Sequence, residues 1–397
     1  MSYQVLAAAT NHPDPVNPYY GLFNARSIAA LTERGVNIDV VTPRPFAPPI
    51  GPYSEFNDIG ITSQHDGYEV HHPRFFYGLP KRLFYGISGR SYAKRVPKYV
   101  EQTFETPNLV HAYHVYPDGY GMLHYCREHD LPLFVVAHGA ALNEFDQFPG
   151  NVQSKIRETV EKSDTVLCVS QALANRVQDI GSNVHTTVLP IGADPSEFPT
   201  KQEQQLRAEM DIPEGRPVVF FCGQYVERKG VRDIIDVLPK LSDVDAHFLF
   251  VGQDGPLREP LMTALTEAGL TERSTIMYNV PDRMIQRCFT VADLLLLPSY
   301  NEGRPTVIYE AMASETAVLA TGVGGIPEQV DQGKTGILIG EGNPDALKRE
   351  LLDLVSDPTT LKSMGENGYQ RLIEQGWTWE DHAKNLMEIH TSEQAFS

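Results

Sequence analysis

Short apolar, β-branched runs alternate with helical patterns along the chain, and this alternation restricts the possible folds more than any other feature. Most of the runs are apolar at every position and are followed by Gly, Pro, Ser or Asn. Such runs are typical of strands in a parallel sheet that helices cover on both faces. Repeated strand–helix units therefore predict doubly wound α/β sheets.

The predicted strands form two groups of five. Those of the first half are 4–9, 38–42, 109–112, 133–137 and 166–170, and those of the second half are 218–222, 247–251, 274–278, 293–298 and 317–321. Helical patterns lie between them, for example over 28–34, 172–179 and 257–268. Each group is long enough for one Rossmann-like domain.

A break between the two groups lies in residues 189–217, which are rich in proline, glycine and charge. A chain of 397 residues is also long for one core. We therefore predict an N-terminal domain over 1–192, a linker over 193–216, a second domain over 217–375 and a terminal segment over 376–397. Ligands of such sheets bind beyond the carboxyl ends of the strands.

Charge and composition exclude several functional classes. The net charge of −18 argues against nucleic-acid binding. No stretch approaches 18 consecutive apolar residues, so no transmembrane helix is expected. The first ten residues lack a basic leader and indicate a strand, not a signal peptide. Four scattered cysteines without a C-x-x-C pair indicate buried free thiols, and we expect a cytoplasmic protein.

The stretch "NEGRPTVIYEAMASETAVLATGVGGIPEQV" contains the chemistry that is easiest to interpret. A buried strand ends at Pro298, and Pro305 suits the first turn of a helix. The free N–H groups between residues 303 and 307, to which Pro305 contributes none, would then form a phosphate site. Glu302 and Glu310 flank that site and suit hydroxyl groups as hydrogen-bond acceptors. A molecule with phosphates in the middle and hydroxyl groups on both sides is a nucleotide sugar.

The same residues resemble a known family. "EGRPTVIYEAMA" resembles the E-x7-E signature of the family 4 glycosyltransferases (glycosyl transferases group 1), which are retaining enzymes with the GT-B fold. The segments "LFVVAHG", "VLPIGADPSEF", "FCGQYVERKGV", "FLFVGQDGPLRE" and "GVGGIPEQVDQGKTGILI" match the family in order. The resemblance implies two Rossmann-like domains facing across a cleft. It also implies a C-terminal helix that crosses back to the first domain, with Trp379, Ala383, Leu386 and Ile389 on one stripe.

Roles for the two glutamates and the helix start follow from the resemblance. Glu310 is expected to bind the ribose hydroxyls, and Glu302 the hydroxyls of the transferred sugar. The backbone around the helix start, at Gly303, Arg304, Pro305 and Thr306, is expected to surround the terminal phosphate, with every residue except Pro305 able to donate an N–H.

The resemblance implies further site residues. In "GQYVERKG" the family has an arginine after the first glycine and a lysine before the last, and both neutralise the diphosphate. Lys229 fits, but Gln224 stands in the arginine position, where Arg228 could substitute for it. His138 is expected beside the donor sugar as a catalytic residue with Lys229 and Glu302. The remaining donor contacts are expected from Gly21, in place of the family's glycine-rich turn, and from the backbone of Asn279 and Val280.

The implied activity is retaining transfer of a hexose from a nucleotide-diphosphate sugar to a hydroxyl of a glycan or lipid-linked acceptor. Front-face attack is expected, with the leaving phosphate accepting the proton and the protein acting by positioning and electrostatics. No cofactor or metal is expected. The one D-x-D, Asp243 to Asp245, precedes a strand and indicates a solvated turn.

A basic, aromatic segment spans residues 71–100. No acidic residue lies between Glu69 and Glu101, whereas seven bases do, so the rest of the chain has a net charge of −25. This composition predicts either contact with an anionic membrane, on the inner face of the cell membrane, or a solvated face with local core packing. Covering of the acceptor site and binding of an acidic glycan are other interpretations.

Other classes remain open. A nucleotide-sugar epimerase or a sugar phosphorylase could share the fold. A catalytically silent sugar-nucleotide-binding subunit is kept open by Gln224 and by the long proline-rich loop "ATNHPDPVNPYYGLFNAR". A NAD-dependent dehydrogenase would need G-x-G-x-x-G after an early strand, which is absent there.

Overall fold

The computed structural model of the protein describes residues 3–46, 54–77 and 81–394. The chain divides into two compact units. Unit 1 contains the residues up to Ile191 together with the segment from Trp379 onward, and unit 2 contains Gly192–Thr378.

Unit 1 is built on an eight-stranded sheet. Its strands, with a small additional pair, are β1 (Gln4–Ala8), β2 (Asn37–Val41), β3 (Arg44–Pro45), β4 (Thr62–His65), β5 (Tyr68–His71), β6 (Arg74–Phe75), β7 (Leu109–Ala112), β8 (Leu133–Ala137), β9 (Thr165–Cys168) and β10 (Thr186–Val188). Its helices are α1 (Leu22–Glu33), α2 (Lys81–Thr103), α3 (Tyr120–Glu128), α4 (Ala140–Asn143), α5 (Gly150–Lys162), α6 (Gln171–Ile180) and α15 (Trp379–Gln394).

The strand order of this sheet is β10-β9-β8-β7-β1-β2-β5-β4. All neighbours are parallel except β4 and β5. The order reverses between β1 and β7, which creates a crevice at their carboxyl ends. Strands β7, β8 and β9 are buried at every position, as strands covered on both faces must be.

Unit 2 is a six-stranded parallel sheet surrounded by helices. Its strands are β11 (Val218–Cys222), β12 (His247–Gly252), β13 (Ser274–Tyr278), β14 (Leu294–Leu297), β15 (Ala317–Thr321) and β16 (Gly336–Ile339). Its helices are α7 (Glu203–Glu209), α8 (Val231–Val237), α9 (Arg258–Glu267), α10 (Asp282–Val291), α11 (Thr306–Ala313), α12 (Ile326–Gln329), α13 (Pro344–Val355) and α14 (Pro358–Glu374).

The strand order of unit 2 is β13-β12-β11-β14-β15-β16, all parallel. This is a doubly wound order with its switch point between β11 and β14. One core includes side chains of β11, β12 and β14 together with α8, α9 and α13. Every one of the ten strands predicted from the apolar runs is present, and the α/β class with parallel sheets in two domains is confirmed.

The differences from the predicted elements have local causes. Helix α1 begins at Leu22, whereas its pattern predicted a start at residue 28, because polar Asn24 and Ser27 are buried in its first turns. The β4–β5 hairpin was missed because β4 has no buried position and β5 has only two, so neither strand is a run of consecutive apolar residues. Strands β10 and β16 were also missed, since they are short edge strands that are largely half-buried.

Helix α15 packs against α1 within unit 1. Trp379, Ala383 and Leu386 are buried as predicted, but Ile389 is only half-buried. The buried stripe continues instead with the next residue, His390, which is fully buried. Its Nδ1 lies 3.2 Å from the hydroxyl of Tyr3. Burial lowers the pKa of His390 to about 3, so this histidine is a neutral core residue.

Candidate functional site

The switch point of unit 2 brings two predicted segments together. The loop after β11 and the loop after β14 meet where the carboxyl ends of the two strands adjoin. The amide of Tyr300 donates to the carbonyl of Arg228 at 3.0 Å. Gly230 has a φ of 73°, and a Cβ there would lie 1.9 Å from the carbonyl oxygen of Pro298. The loops can approach this closely only because residue 230 is glycine.

Lys229 and Glu302 form an ion pair at this junction. The Lys229 Nζ lies 2.6 Å from Glu302 Oε1, and the side chains are 17% and 8% exposed. Lys229 ends a short 3₁₀ turn, Glu227–Lys229, and Glu302 follows β14 by five residues. Each charge offsets the desolvation cost of the other. The residues expected to hold the diphosphate and the transferred sugar are therefore bound to each other in this structure.

A glycine turn holds Glu302 from its other side. Gly324 has a φ of 56°, and a Cβ there would lie 1.9 Å from the Glu302 carbonyl oxygen. The Gly325 amide donates to the Gly303 carbonyl at 2.9 Å. The backbone at residues 302 and 303 is thus fixed between the β14 strand and the glycine turn. This explains why the Gly-Gly pair follows so closely in the sequence.

Helix α11 begins at Thr306, and Pro305 is its N-cap residue. We expected Pro305 in the first turn of the helix, but it lies one residue before the helix, because its ψ of 130° is extended. No side chain caps this helix end. The helix start thus has backbone amides without a side-chain cap, an arrangement that suits anion binding.

The side chain of Arg304 does not point toward a free surface. It is buried, donates to Glu328 Oε2 at 3.1 Å, and lies over the ring of Trp377 at 4.8 Å. The guanidinium therefore anchors the start of α11 to α12 and to the end of the unit. Any phosphate contact of Arg304 would come from its backbone, as the sequence predicted.

Glu310 lies in the second turn of α11, and its side chain is half-buried. Burial raises the pKa of the Cys222 thiol at the end of β11, and the charges of Glu310 and Lys229 also act on it. Both charged side chains therefore lie close to the end of the same strand. The two glutamates and the lysine, separated by up to 81 positions, are assembled around one sheet edge.

Gln224 and Asn279 contact the loop after β12. Gln224 Nε2 lies 3.4 Å from the Asp254 carbonyl oxygen, and the Asp254 amide donates to Asn279 Oδ1 at 3.2 Å. Asn279 has a φ of 52°, and its amide donates to the Gly252 carbonyl. That N–H is thus occupied, which leaves Val280, half-buried, as the better candidate for a backbone contact. Arg228 is exposed.

His138 follows β8 at the carboxyl edge of the unit 1 sheet. Its Nε2 is buried and has no hydrogen-bond partner within the described residues. Burial lowers its pKa well below the usual value, and His114 adds to the effect. The ring lines a cavity of about 10 Å³ in unit 1, beside Asn24, His111 and His382. That volume is close to the minimum for one water molecule. His138 is therefore a neutral imidazole with one unused ring nitrogen.

Gly21 has a conformational role in the structure. It precedes α1 with a φ of 72°, and a Cβ there would lie 2.3 Å from the Asn11 carbonyl oxygen. Asn11 also accepts from the hydroxyl of Tyr20 and contacts His114 Nε2 at 2.6 Å. The long proline-rich loop therefore folds back over the position that the sequence proposed for a donor contact.

A buried polar network at the switch point of unit 1 was missed by the sequence reasoning. The amide and hydroxyl of Thr10 both donate to the fully buried carboxyl group of Asp118. Arg44 pairs with Asp14 at 2.5 Å, and both side chains are almost fully buried. Burial raises the pKa of Asp118 to about 7. The available signal was an aspartate inside "VYPDGYGM", a few residues after a buried strand.

Two other features bear on the site. Asp245 of the D-x-D pairs with Arg216 at 2.8 Å, is 80% exposed and precedes β12, at the edge opposite Lys229. Over residues 3–46, 54–77 and 81–394 there is no cluster of three or more residues suited to bind a metal ion. Within the same residues, no helix combines the length and the apolar character needed to cross a bilayer.

Comparison with protein families gives two matches that together account for most of the chain. The model described as Glycosyltransferase Family 4 matches residues 25–197. The model described as Glycosyl transferases group 1 matches residues 202–371.

Individual proteins agree with these matches. TuaC of Bacillus subtilis, a glycosyltransferase with a proposed role in teichuronic acid biosynthesis, is 27% identical over 81% of this chain and 82% of its own. Sucrose-phosphate synthase from Thermosynechococcus elongatus has the same fold, with a TM-score of 0.82 at 19% identity and full coverage of both chains. Anabaena Alr3699/HepE, solved in complex with UDP-glucose, gives a TM-score of 0.73 at 18% identity, over 98% of this chain and all of its own.

Proposed function

The chain belongs to the family 4 glycosyltransferases, and we propose that it is a retaining hexosyltransferase. The proposed donor is a nucleotide-diphosphate sugar, and the proposed acceptor is a hydroxyl of a glycan or of a lipid-linked molecule. The relative solved with UDP-glucose and the relative linked to teichuronic acid synthesis support these two substrate classes.

The observation that carries the proposal is the Lys229–Glu302 ion pair at the switch point of unit 2. A diphosphate that reached this edge would offer Lys229 a stronger partner than one carboxylate. Glu302 would then be released to accept hydrogen bonds from sugar hydroxyls. The pair therefore holds both side chains in place until the donor binds.

The remaining donor contacts follow from the elements around this pair. The uncapped start of α11 supports a phosphate at residues 303–306. Glu310, about one turn further along, suits the ribose hydroxyls. Arg228 is exposed beside Lys229 and supplies the second positive charge in place of Gln224. Val280, after β13, is assigned to the base.

The proposed mechanism is front-face displacement. The bond between the anomeric carbon and the phosphate oxygen breaks as the acceptor oxygen approaches from the same face. The leaving phosphate accepts the acceptor's proton, so neither glutamate has to act as a nucleophile. Lys229, Arg228 and the amides of α11 stabilise the charge that develops on the diphosphate. The catalytic role proposed for His138 uses a neutral imidazole, because burial lowers its pKa well below the usual value.

No cofactor or metal enters this proposal. The cations that neutralise the diphosphate are the side chains of Lys229 and Arg228, together with the positive end of the α11 dipole. The four cysteines are buried and free, as predicted, and this supports a reducing compartment such as the cytoplasm.

Thermal-shift and calorimetric titration against a panel of nucleotide diphosphates and nucleotide sugars test the proposal. A ligand that binds only the folded protein raises the melting temperature by mass action. One nucleotide diphosphate should stabilise the protein, and Lys229→Ala and Glu310→Ala should greatly reduce the shift, whereas Lys240→Ala, at an exposed lysine outside the predicted donor site, should leave it unchanged. The anomeric configuration of the product, read by NMR, then distinguishes retention from inversion.

Two results would favour the alternatives. Binding of a nucleotide sugar without turnover would indicate a catalytically silent subunit, which the glutamine at position 224 would help to explain. Conversion of the donor to its epimer without transfer would indicate a nucleotide-sugar epimerase. Absence of binding by every nucleotide would contradict the donor site itself.

A further inference from the structure

The exposed face of helix α2 combines bases with large apolar side chains. Along the helix, this face carries Phe84, Ile87, Lys94, Arg95 and Lys98, all exposed. At 100° per residue these positions fall within an arc of about 100°. The opposite face is fixed in the core, because Tyr92 and Val96 are fully buried there. The helix therefore has one packed side and one side of mixed basic and apolar character.

Two neighbouring phenylalanines extend this face. The amide of Phe76 donates to the hydroxyl of Ser91 on α2 at 2.8 Å, and the Phe76 side chain is 54% exposed. The guanidinium of Arg95 lies 5.0 Å from the ring centroid of Phe46, which is 48% exposed. We call this surface the α2 face, and it consists of Phe46, Phe76, Phe84, Ile87, Lys94, Arg95 and Lys98.

Large apolar side chains are concentrated on this face. Four of the ten large hydrophobic side chains that are exposed in the described residues belong to it, although it covers a small part of unit 1. Scattered single apolar residues need no explanation, but a group of this size on one face indicates a binding surface. None of these residues belongs to the predicted donor site.

The charge of the face contrasts with that of the chain. The chain carries −18 overall, and no acidic residue occurs between Glu69 and Glu101. The first acidic residue on α2 is Glu101, in its last turn, where it lies 3.3 Å from His129 Nε2. An acidic protein would be repelled from an anionic surface in most orientations, whereas this face would be attracted to it.

We propose that the α2 face docks on an anionic lipid bilayer. The bases attract acidic headgroups, and the phenylalanines and Ile87 enter the boundary between headgroups and acyl chains. A soluble polyanion would satisfy the bases but would leave four apolar side chains in water, so the lipid surface fits the composition better. Docking holds the protein next to lipid-borne molecules without a spanning segment.

Flotation of the full chain with phosphatidylcholine vesicles, with and without phosphatidylglycerol, tests the proposal. We expect binding only when phosphatidylglycerol is present, and we expect it to weaken as salt is added. Lys94→Glu/Arg95→Glu should reduce binding at least about tenfold, since each base near an anionic surface contributes measurably. Phe84→Ser/Ile87→Ser should also reduce it about tenfold, although the charge is unchanged.

Matched variants elsewhere serve as controls. Lys240→Glu/Lys362→Glu makes the same charge change on exposed lysines of unit 2, and Met262→Ser/Ile373→Ser removes exposed apolar side chains there. Both should bind vesicles like the wild type. All variants replace exposed residues, and circular dichroism checks their folding.

Three results would overturn the proposal: no binding of the wild type, equal losses in the control variants, or full binding by Phe84→Ser/Ile87→Ser. Full vesicle binding by Phe84→Ser/Ile87→Ser, together with equal binding of this variant and the wild type to a polyanion such as dextran sulfate, would indicate recognition of an acidic polymer.

Discussion

Lys229 and Glu302 lie 2.6 Å apart although 72 residues separate them in the chain. The two side chains belong to loops that follow different strands of one parallel sheet, on either side of its switch point. In this structure each is the other's partner. We therefore expect the proposed donor to bind in unit 2 by an exchange of partners, in which a diphosphate would replace a carboxylate on Lys229.

Replacement of Lys229 by methionine should weaken nucleotide binding and also lower the stability of the protein. We expect nucleotide diphosphate affinity to fall about 10–100-fold, the usual effect of one charged hydrogen bond. Stability should also fall by about 1–3 kcal/mol, because Glu302 is left buried and unpaired. Calorimetry and thermal unfolding measure the two effects.

The double variant Lys229→Met/Glu302→Gln provides the control. It should recover most of the stability, because no unpaired charge remains, but not the affinity. If the double variant bound nucleotide as the wild type does, Lys229 would have no role in diphosphate binding.

Gly230 should tolerate no side chain. Gly230→Ala places a Cβ 1.9 Å from a backbone carbonyl at a φ of 73°, so we expect a loss of at least about 3 kcal/mol in unit 2. Gly215 has the same φ and open space around it, which makes Gly215→Ala the matched control, with a loss of about 1 kcal/mol. Equal losses of stability in the two variants would mean that the positive φ alone, and not the close contact with Pro298, excludes a side chain at residue 230.

The Gln224 and Arg228 positions should be partly interchangeable. Arg228→Gln should weaken nucleotide diphosphate binding about tenfold, since it removes one cation beside Lys229. Gln224→Arg/Arg228→Gln should restore much of that loss. Arg349→Gln, on the exposed surface of α13, is the control and should bind like the wild type. A double variant as weak as Arg228→Gln would show that position 224 does not face the diphosphate.

Asp118 should make unit 1 less stable as pH rises. Its pKa is raised to about 7 in the folded protein, against about 3.9 in an unfolded chain, so between these values the folded state holds a proton that the unfolded state has lost. Stability from this group is therefore lost as pH rises from about 4 to about 7. Asparagine does not titrate, so the Asp118→Asn variant should lack the fall in the free energy of unfolding, of the order of 2 kcal/mol, that Asp118 causes over this pH range.

Buried histidines act in the opposite sense, because their lowered pKa values make them destabilising at acid pH; His12 and His382 are examples. The readout is therefore the difference between wild type and variant, taken as the melting temperature at about pH 5 and about pH 8. Asp130→Asn, on an exposed turn, is the control. If the melting temperatures of wild type and Asp118→Asn changed equally between these two pH values, a raised pKa at this site would be contradicted.

The α/β class and most of the elements follow from the sequence because buried parallel strands are recognisable from consecutive apolar residues. Strands such as β8 and β11 are buried at all five positions, and their predicted bounds match the structure. The half-buried edge strands β4, β10 and β16 carry no such signal and were missed. Their pairing depends on the neighbouring strand, not on their own residues.

Part of the site could also be anticipated. The spacing of Glu302 and Glu310 around a helix start is local, so it survives folding unchanged. The pairing of Lys229 with Glu302 is not local, and neither is the Asn11 carbonyl that closes off Gly21. Both depend on which strands become neighbours in the sheet.

The sequence by itself determined the α/β class and the order of the strands along the chain, and it supplied the residue types that we propose bind a nucleotide sugar. Only the tertiary structure decided which charges meet, as in Arg44 with Asp14 and Lys229 with Glu302. It also decided which polar groups are buried deeply enough to change their pKa, as Asp118 is. The physical reason is range: hydrophobic periodicity acts over a few residues, whereas desolvation and ion pairing depend on all the groups that the fold brings within a few ångströms.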